Sequence, residues 1–253
     1  MTDDLTFADQ FDSIAPYYDE IMSVVPYRQW GQYLRKICKR YSWKPKTVLD
    51  IATGTGAVAF LLAELGYKVT GVDISAPMIE IARRKAADAG VGEVTFDVQD
   101  ATQLRLPYQV DLAVCLFDSF NYLLTAKGLQ DAFAAVHRTL TPGGGFIFDL
   151  NGEYALEKNL FTQDNLWDDE ADVKHVWTAQ YNKRTRMATV DMQFYLPNGK
   201  VFREVHKERA HRHADVIRFL REAGFEFLDA FDDLSFLPVG PRSERIYYVA
   251  RKP

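Results

Sequence analysis

The sequence predicts an α/β protein: a parallel sheet covered by helices on both faces, with an antiparallel meander inserted after its fifth strand. Three observations point there. From Thr47 to Leu150, short β-branched or apolar runs alternate with segments of helical spacing, the rhythm of βαβ units. A glycine-rich turn joins the first apolar run to the first helical segment. After Leu150 the texture changes to three long, locally alternating runs, one pair of them joined by Pro197-Asn198-Gly199-Lys200, whose Asn-Gly pair is a strong hairpin signal.

Taken in order, residues 1–46 form a helical flank or lid, with helical spacing over Tyr27–Tyr41 and a break at Tyr41-Ser42-Trp43-Lys44-Pro45. Residues 47–150 form the α/β core. Its strands are expected at Thr47–Asp50, Lys68–Asp73, Val94–Val98, Val110–Cys115 and Gly145–Leu150, and its helices at Ala57–Leu65, Met78–Ala89 and Leu129–Leu140. The punctuation agrees: Gly66 and Gly90 follow helix ends, Ser75 stands at an N-cap, and Pro77 falls in a first turn. Residues 151–212 are the insertion, with runs at Val173–Tyr181, Met187–Leu196 and Val201–His211. Residues 213–253 return to the core through a helix, Ala214–Ala223, closed by Gly224, and two last strands, Phe225–Phe231 and Arg245–Arg251.

Composition bounds the function. The chain has 253 residues, 47% hydrophobic and 26% charged, ample for a sizeable core. Its net charge of −5 and pI of about 5.6 lack the basic footprint of a general nucleic-acid binder. The longest apolar runs, such as Ala57–Ala63, fall short of the roughly 18 residues a membrane span needs. Met1-Thr2-Asp3-Asp4 is acidic with no apolar stretch behind it, so no signal peptide is expected and a cytoplasmic, membrane-free location is. Cys38 and Cys115 give neither a disulfide framework nor a metal spacing, and no metal site is expected.

Gly54-Thr55-Gly56-Ala57-Val58-Ala59 has the G-x-G-x-x-A form of a dinucleotide turn, between a strand and a helix. Asp73 ends the next strand 17 residues after Gly56, near where an acidic residue meets a ribose diol. A ribose-bearing cofactor follows. Asp50, at the end of the first strand, chooses between candidates. Beside a pyrophosphate it would be repelled, since two negative groups at ~4 Å cost several kcal/mol at intermediate dielectric. It suits instead a ligand with an ammonium and a cationic sulfur, although a carboxylate there can also cap a turn.

Val48-Leu49-Asp50-Ile51-Ala52-Thr53-Gly54-Thr55-Gly56 resembles the first motif of the class I S-adenosylmethionine (SAM)-dependent methyltransferases. Val69 to Met78 is similar to that family's ribose-binding motif, Asp97-Val98-Gln99-Asp100-Ala101 to its third, and Thr141-Pro142-Gly143-Gly144-Gly145 to the turn before its fifth strand. The resemblance implies a Rossmann-like sheet of seven strands with the last one reversed, and SAM as cofactor. It also implies roles. Asp50 and the backbone of Ala52, Gly54 and Gly56, with Thr55, would hold the methionine moiety. Asp73 would bind the ribose. Ile74 and Met78 would pack on the adenine, and Asp100 and Ala101 would sit at its edge. Phe117 would lie near the transferred methyl. Phe11 to Asp19 resembles the flank that closes over the cofactor in small-molecule members, which makes Tyr18 a contact and Tyr17, Tyr27 and Trp30 candidates, although Trp30 reads better as packing between flank and core.

Leu116 to Leu123 is expected at the carboxyl edge of the sheet, where ligands bind. Asp118, Asn121 and Tyr122 from that loop, and His211 from the end of the meander, are the candidates for handling an acceptor; no residue announces itself as a general base. His206, His211 and His213 surround the end of the meander and face either solvent or the cleft, solvated surface being expected for His211-Arg212-His213, and Glu204 and Glu208 read as breaks in a solvated basic face. The Asp/Asn-Pro-Pro-Tyr/Phe signature of many base-modifying methyltransferases is absent. The sequence therefore predicts methyl transfer from SAM to a small-molecule acceptor, N- or O-methylation, by a monomer or homodimer that does not act on nucleic acid. An RNA or protein acceptor, or a nicotinamide oxidoreductase, are the alternatives. The meander is expected to be the acceptor-selecting cap, with a dimerisation sheet as the competing reading.

Overall fold

The computed structural model describes residues 11–89, 93–168 and 171–253. Eleven strands follow in chain order: β1 (Thr47–Ile51), β2 (Lys68–Asp73), β3 (Val94–Val98), β4 (Val110–Cys115), β5 (Leu140–Asn151), β6 (Gln163–Asp164), β7 (Lys174–Asn182), β8 (Met187–Tyr195), β9 (Val201–Arg209), β10 (Glu226–Asp232) and β11 (Arg245–Arg251). The α-helices are α1 (Tyr18–Ile21), α2 (Tyr27–Arg40), α3 (Ala57–Glu64), α4 (Ala76–Ala89), α5 (Ala126–Thr139), α6 (Glu153–Lys158) and α7 (His213–Glu222).

Seven strands make one sheet in the order β10-β11-β5-β4-β1-β2-β3. All neighbours from β5 to β3 pair parallel, and β11 runs antiparallel to both β5 and β10. The sheet is buried on both faces, so its central strands read as continuous apolar runs. One face packs α5 and α7 through Phe133, Val136, Val216 and Leu220, with an aromatic layer of Phe120, Phe146, Phe148 and Phe225. The other packs α2, α3 and α4 through Leu34, Ile37, Leu62 and Ile79 against Val48, Val114, Ile147 and Tyr247.

The expected caps form. Ser75 Oγ accepts from the Met78 backbone N–H at 3.3 Å, and Gly66 closes α3 at φ +89°. Gly90 lies outside the described residues. Several boundaries differ from expectation. α5 starts at Ala126, because Thr125 caps it through Gly128 N–H at 3.0 Å, and Leu140 belongs to β5 rather than to the helix. β5 begins before the glycine run rather than after it, with a register shift against β4 between Val110 and Leu112 that absorbs the turn. The short elements α6 and β6 were not anticipated: each spans too few residues to show a period.

The insertion is a four-stranded antiparallel sheet, β6-β7-β8-β9. Its inner face carries Val190, Met192 and Phe194 against Ile14, Ile21 and Met22 of the flank and Met78 of α4. Flank, insertion and core thus share one apolar cluster above the carboxyl ends of the sheet.

Candidate functional site

A cavity of about 400 Å³ opens where these three parts meet, at the carboxyl ends of β1, β2 and β4. Position follows from topology: the strand order reverses between β1 and β4, leaving a crevice there. Helix α3 starts at its floor. The chain between β1 and α3 takes three left-handed residues, Ala52 (φ +56°), Gly54 (φ +56°) and Gly56 (φ +89°). Gly56 has a second constraint, since a Cβ there would stand 2.8 Å from the Phe96 ring.

Two carboxylates hold this turn. Asp50, 2% exposed, accepts from Thr53 Oγ1 at 2.7 Å. Burial pushes its carboxyl up to about 7; the Thr53 hydrogen bond opposes and the Asp73 charge adds to the rise. Asp73 accepts from the Gly54 N–H at 2.8 Å and the Ser75 N–H at 2.9 Å, so it ties the glycine turn to the start of α4. Burial raises its carboxyl too, against those N–H donors. The flank clips on through polar contacts: Thr55 Oγ1 donates to Asp19 and Ser75 Oγ to Asp12, each at 2.5 Å. The Tyr18 ring faces Gly54 across the cavity mouth. A buried acid beside a turn of exposed backbone, a second carboxylate one strand over and the apolar shelf of Ile74 and Met78 fit the ammonium, ribose and adenine of SAM in turn.

The far wall is built around Asp149. This residue is fully buried in β5, accepts from the N–H groups of Phe117 at 2.8 Å and Asp118 at 2.9 Å, and pairs with Arg245 of β11. The two N–H groups belong to left-handed residues, Phe117 at φ +67° and Asp118 at φ +52°, so Asp149 fixes the strained turn that presents both side chains. Arg245 also reaches Asp118 Oδ1 at 2.8 Å and lies 5.5 Å from the Phe117 ring centre. Burial works against the Arg245 charge, but Asp149 and Asp118 more than offset it and hold the guanidinium above its usual value. Trp30 packs on Phe117, the ring centres 5.2 Å apart and the planes tilted by 42°; it is both buried packing and cavity wall.

The insertion corrects the expected solvated face. Register puts Ala188, Val190, Met192 and Phe194 of β8 opposite Glu208, His206, Glu204 and Phe202 of β9, all on the inner side. Glu204 and Glu208 are each 4% exposed and His206 is 0%. His206 Nε2 meets Glu204 Oε2 at 2.8 Å, and its Nδ1 meets the Tyr122 hydroxyl at 3.2 Å. Glu204 also accepts from the Phe11 N–H at 3.2 Å. Tyr122, His206 and Glu204 thus form one buried hydrogen-bonded chain. Such a chain can draw a proton away from the cavity. Glu208 lines the cavity, with Asn151 Nδ2 donating to its Oε2 at 3.0 Å. Burial, aided by the Asp118 charge, lifts the Glu208 carboxyl to about 8, and burial likewise raises Asp118. The outer face is polar, with Arg203 paired to Asp191.

Of the residues expected at the cofactor, Tyr18, Asp50, Ala52, Gly54, Thr55, Asp73, Ile74, Met78 and Phe117 line the cavity. Gly56 shapes the turn from behind, Asp100 caps a 3-10 turn through the Thr102 N–H at 2.7 Å, and Ala101 packs on the core; none of the three is part of the lining. Of the acceptor candidates, Asp118 and Tyr122 line it. Asn121 does not: fully buried, it accepts from Asn151 N–H and donates to the Arg209 carbonyl, bracing the β4 loop against β5 and β9. His211 also stands outside the lining, and burial lowers its ring to about 4. His213 is half-buried and pairs with the Tyr248 hydroxyl at 3.0 Å rather than facing solvent. Sequence reasoning missed Asp149, Arg245, Asn151 and Glu208. The signal for Asp149 was present, a lone acid within Phe146-Ile147-Phe148-Asp149-Leu150, but Glu208 had none in its own strand. Among the described residues no three metal-ligating side chains cluster, and no helix is long and apolar enough to cross a membrane.

Comparison with known proteins agrees with this geometry. The family model for a methyltransferase domain matches residues 48–144. The chain is 28% identical over 246 residues to the Bacillus subtilis protein YqeM, named as a methyltransferase, covering 96% of this chain and 97% of that one. A SAM-dependent methyltransferase from Clostridium acetobutylicum superposes with a TM-score of 0.83 at 30% identity, covering 96% of this chain and 98% of that one. The sugar N-methyltransferase KedS8 from Streptoalloteichus shares the fold, with a TM-score of 0.74 at 20% identity over 92% of this chain and 91% of that one.

Proposed function

Because the chain belongs to the SAM-dependent methyltransferases, we propose that it methylates a small molecule on nitrogen or oxygen, by in-line displacement inside the capped cavity. The observation that carries this reading is the cover over the cavity. The flank and the β6–β9 sheet cover the carboxyl ends of the core strands and leave about 400 Å³ lined by apolar side chains and a few polar groups. A chamber of that size and make-up suits a small ligand, whereas a folded RNA or protein needs an open, exposed face. The sugar N-methyltransferase of like fold is consistent with it.

Bound SAM supplies a methyl group on cationic sulfur. The chain's residues do the rest. Asp50 and the glycine turn receive the methionine end, Asp73 the ribose, and Ile74 and Met78 the adenine. Phe117, held by Asp149, packs beside the transfer path, and Trp30, Met192 and Val190 exclude water. Placing the acceptor's lone pair in line behind the methyl can supply about 7–11 kcal/mol of the barrier. The insertion is the acceptor-selecting cap, because its inner face forms one wall of the chamber while its outer face is polar.

The test is a screen of amines, alcohols and phenols for SAM-dependent formation of S-adenosylhomocysteine (SAH), repeated with residues 163–209 replaced by a Gly-Ser linker. Turnover on the wild-type acceptor is expected to collapse in the linker variant while SAM affinity falls less than about tenfold, about 1.4 kcal/mol. A folded, SAM-binding linker variant with normal turnover would refute the cap. A linker variant of halved mass by light scattering and intact chemistry would make the insertion a dimerisation sheet.

A further inference from the structure

At the acceptor end of the cavity, carboxylates outnumber cations. Asp118, Glu208 and Arg245 all line it, and Arg245 is already divided between Asp118 and the buried Asp149. Glu204 is met by His206 Nε2 and by the Phe11 N–H. That leaves Glu208, 4% exposed, whose hydrogen bond among the described residues comes from the neutral Asn151 amide. Withdrawing a carboxylate from water costs several kcal/mol unless a cation meets it. Nothing in the packing asks for that cost. The inner row at this level is Tyr181, Ala188 and residue 208, and an apolar side chain would complete it. Among the described residues no cation pairs with Glu208, and its carboxyl faces the space an acceptor fills.

We propose that Glu208 is the acceptor-binding group: it receives an amine as its ammonium and takes the ammonium proton ahead of methyl transfer. The proposal rests on the reading of the cavity as a small-molecule methylation site and narrows it to amines. The Asn151 amide fixes Oε2, so the carboxylate presents one defined edge to the cavity. In the step, an N–H bond of the ammonium breaks and its proton passes to a Glu208 carboxylate oxygen, leaving the nitrogen lone pair free. That pair forms the N–C bond as the C–S bond breaks, with its electrons returning to sulfur. The product leaves as a methylated ammonium with SAH, and the proton on Glu208 is released to water when the site opens. Asp118 on the β4 loop raises the Glu208 carboxyl and Arg245 on β11 lowers it, while Tyr122 stands beside both. Near pH 8 the group can take a proton and return it.

The test uses the full chain saturated with SAH and simple probes: alkylammonium ions from methylammonium to benzylammonium, and the alcohols of the same shape, titrated by NMR and calorimetry. Saturable ammonium binding is expected in the wild type, weakened at least tenfold in Glu208→Gln, with SAH affinity in that variant unchanged within twofold and the alcohols binding at least tenfold more weakly than the ions. Equal binding of alcohols and ammonium ions, unaltered ammonium binding in Glu208→Gln, or no ammonium binding to the wild type would each overturn the proposal. An equal loss of SAH affinity would assign Glu208 to the cofactor instead, and would overturn it too. Methyl transfer is read separately. Glu208-dependent ammonium binding with methylation confined to protein or RNA amines would defeat the small-molecule reading and uphold Glu208.

Discussion

The two halves of the cavity bury their acids differently. On the sheet side, Asp50 and Asp73 sit at strand ends and are satisfied nearby in sequence: Thr53 three residues away, Ser75 two, Gly54 nineteen. On the cap side, Glu204 and Glu208 stand mid-strand. Glu204 and His206 reach Phe11 and Tyr122, 193 and 84 residues away, and Glu208 reaches Asn151, 57 away. A locally satisfied acid folds with its loop and survives in isolation. A remotely satisfied one exists only when flank, core and cap have all docked, so the cap side is complete only on docking.

The sharpest break in this contrast comes at Arg245, which pairs with both Asp149 and Asp118 in the far wall. Removing it strands Asp149 and Asp118 without the cation that pairs with both. Breaking a buried pair from one side costs about 3–5 kcal/mol, and Arg245→Met is expected to lose that much in denaturant unfolding. A loss under about 1 kcal/mol would show that water screens the pair. The paired change Arg245→Met with Asp149→Leu should recover part of the loss in stability while leaving Phe117 and Asp118 without their anchor, and turnover low.

The next effect is local. Asp73→Ala frees the Gly54 and Ser75 N–H groups and removes the carboxylate proposed to receive the ribose, and is expected to weaken SAM binding by at least ~1.5–3 kcal/mol, about 10- to 100-fold. Calorimetry reads it directly. An unchanged dissociation constant in a folded variant would confine Asp73 to holding the turn. On the cap side, Glu204→Gln should leave SAH affinity within about twofold, yet slow methyl transfer about tenfold by weakening the pull of His206 on Tyr122. Equal turnover would reduce the chain to packing.

This contrast also explains what the sequence disclosed. Strand ends with glycine turns carry their chemistry in consecutive residues, so Asp50, Gly54, Gly56 and Asp73 were readable, as were the seven strands of the sheet and the meander. β9 was not. Its two faces read Val201, Arg203, Val205, Lys207 and Phe202, Glu204, His206, Glu208, and neither is apolar. Alternation shows that one face is buried but cannot say which when the buried face is charged. The answer stands in β8, where Ala188, Val190, Met192 and Phe194 mark the inner side, and it transfers to β9 only through the pairing register. Asp149 illustrates the converse: an acid inside an apolar run must be satisfied by something, but its partners, Phe117 N–H and Arg245, lie 32 and 96 residues away.

The smallest expected effect concerns pH, and it sets Asp50 against Glu208. Burial raises Asp50 to about 7 and Glu208 to about 8. For folding, a raised carboxyl means that the folded chain holds more protons than the unfolded one between the ordinary carboxyl value and the raised one. The contribution of Asp50 to the stability of the ligand-free protein is therefore present in acid and lost as pH rises through about 7. Cofactor binding runs the other way. The ionised form meets the ammonium of SAM, and below about 7 a proton must first be removed, at about 1.4 kcal/mol for each pH unit. SAM affinity should accordingly weaken towards tenfold per unit as pH falls from 7 to 6 and level off above 7. Asp50→Asn should flatten that slope at a uniformly weaker affinity, while Glu208→Gln should leave it in place, because Glu208 serves the acceptor and not the cofactor. Calorimetric titrations of SAM from pH 6 to 8 check all three chains. A flat wild-type profile would place the ammonium away from Asp50, and a slope removed by Glu208→Gln would reverse the assignment of the two carboxylates.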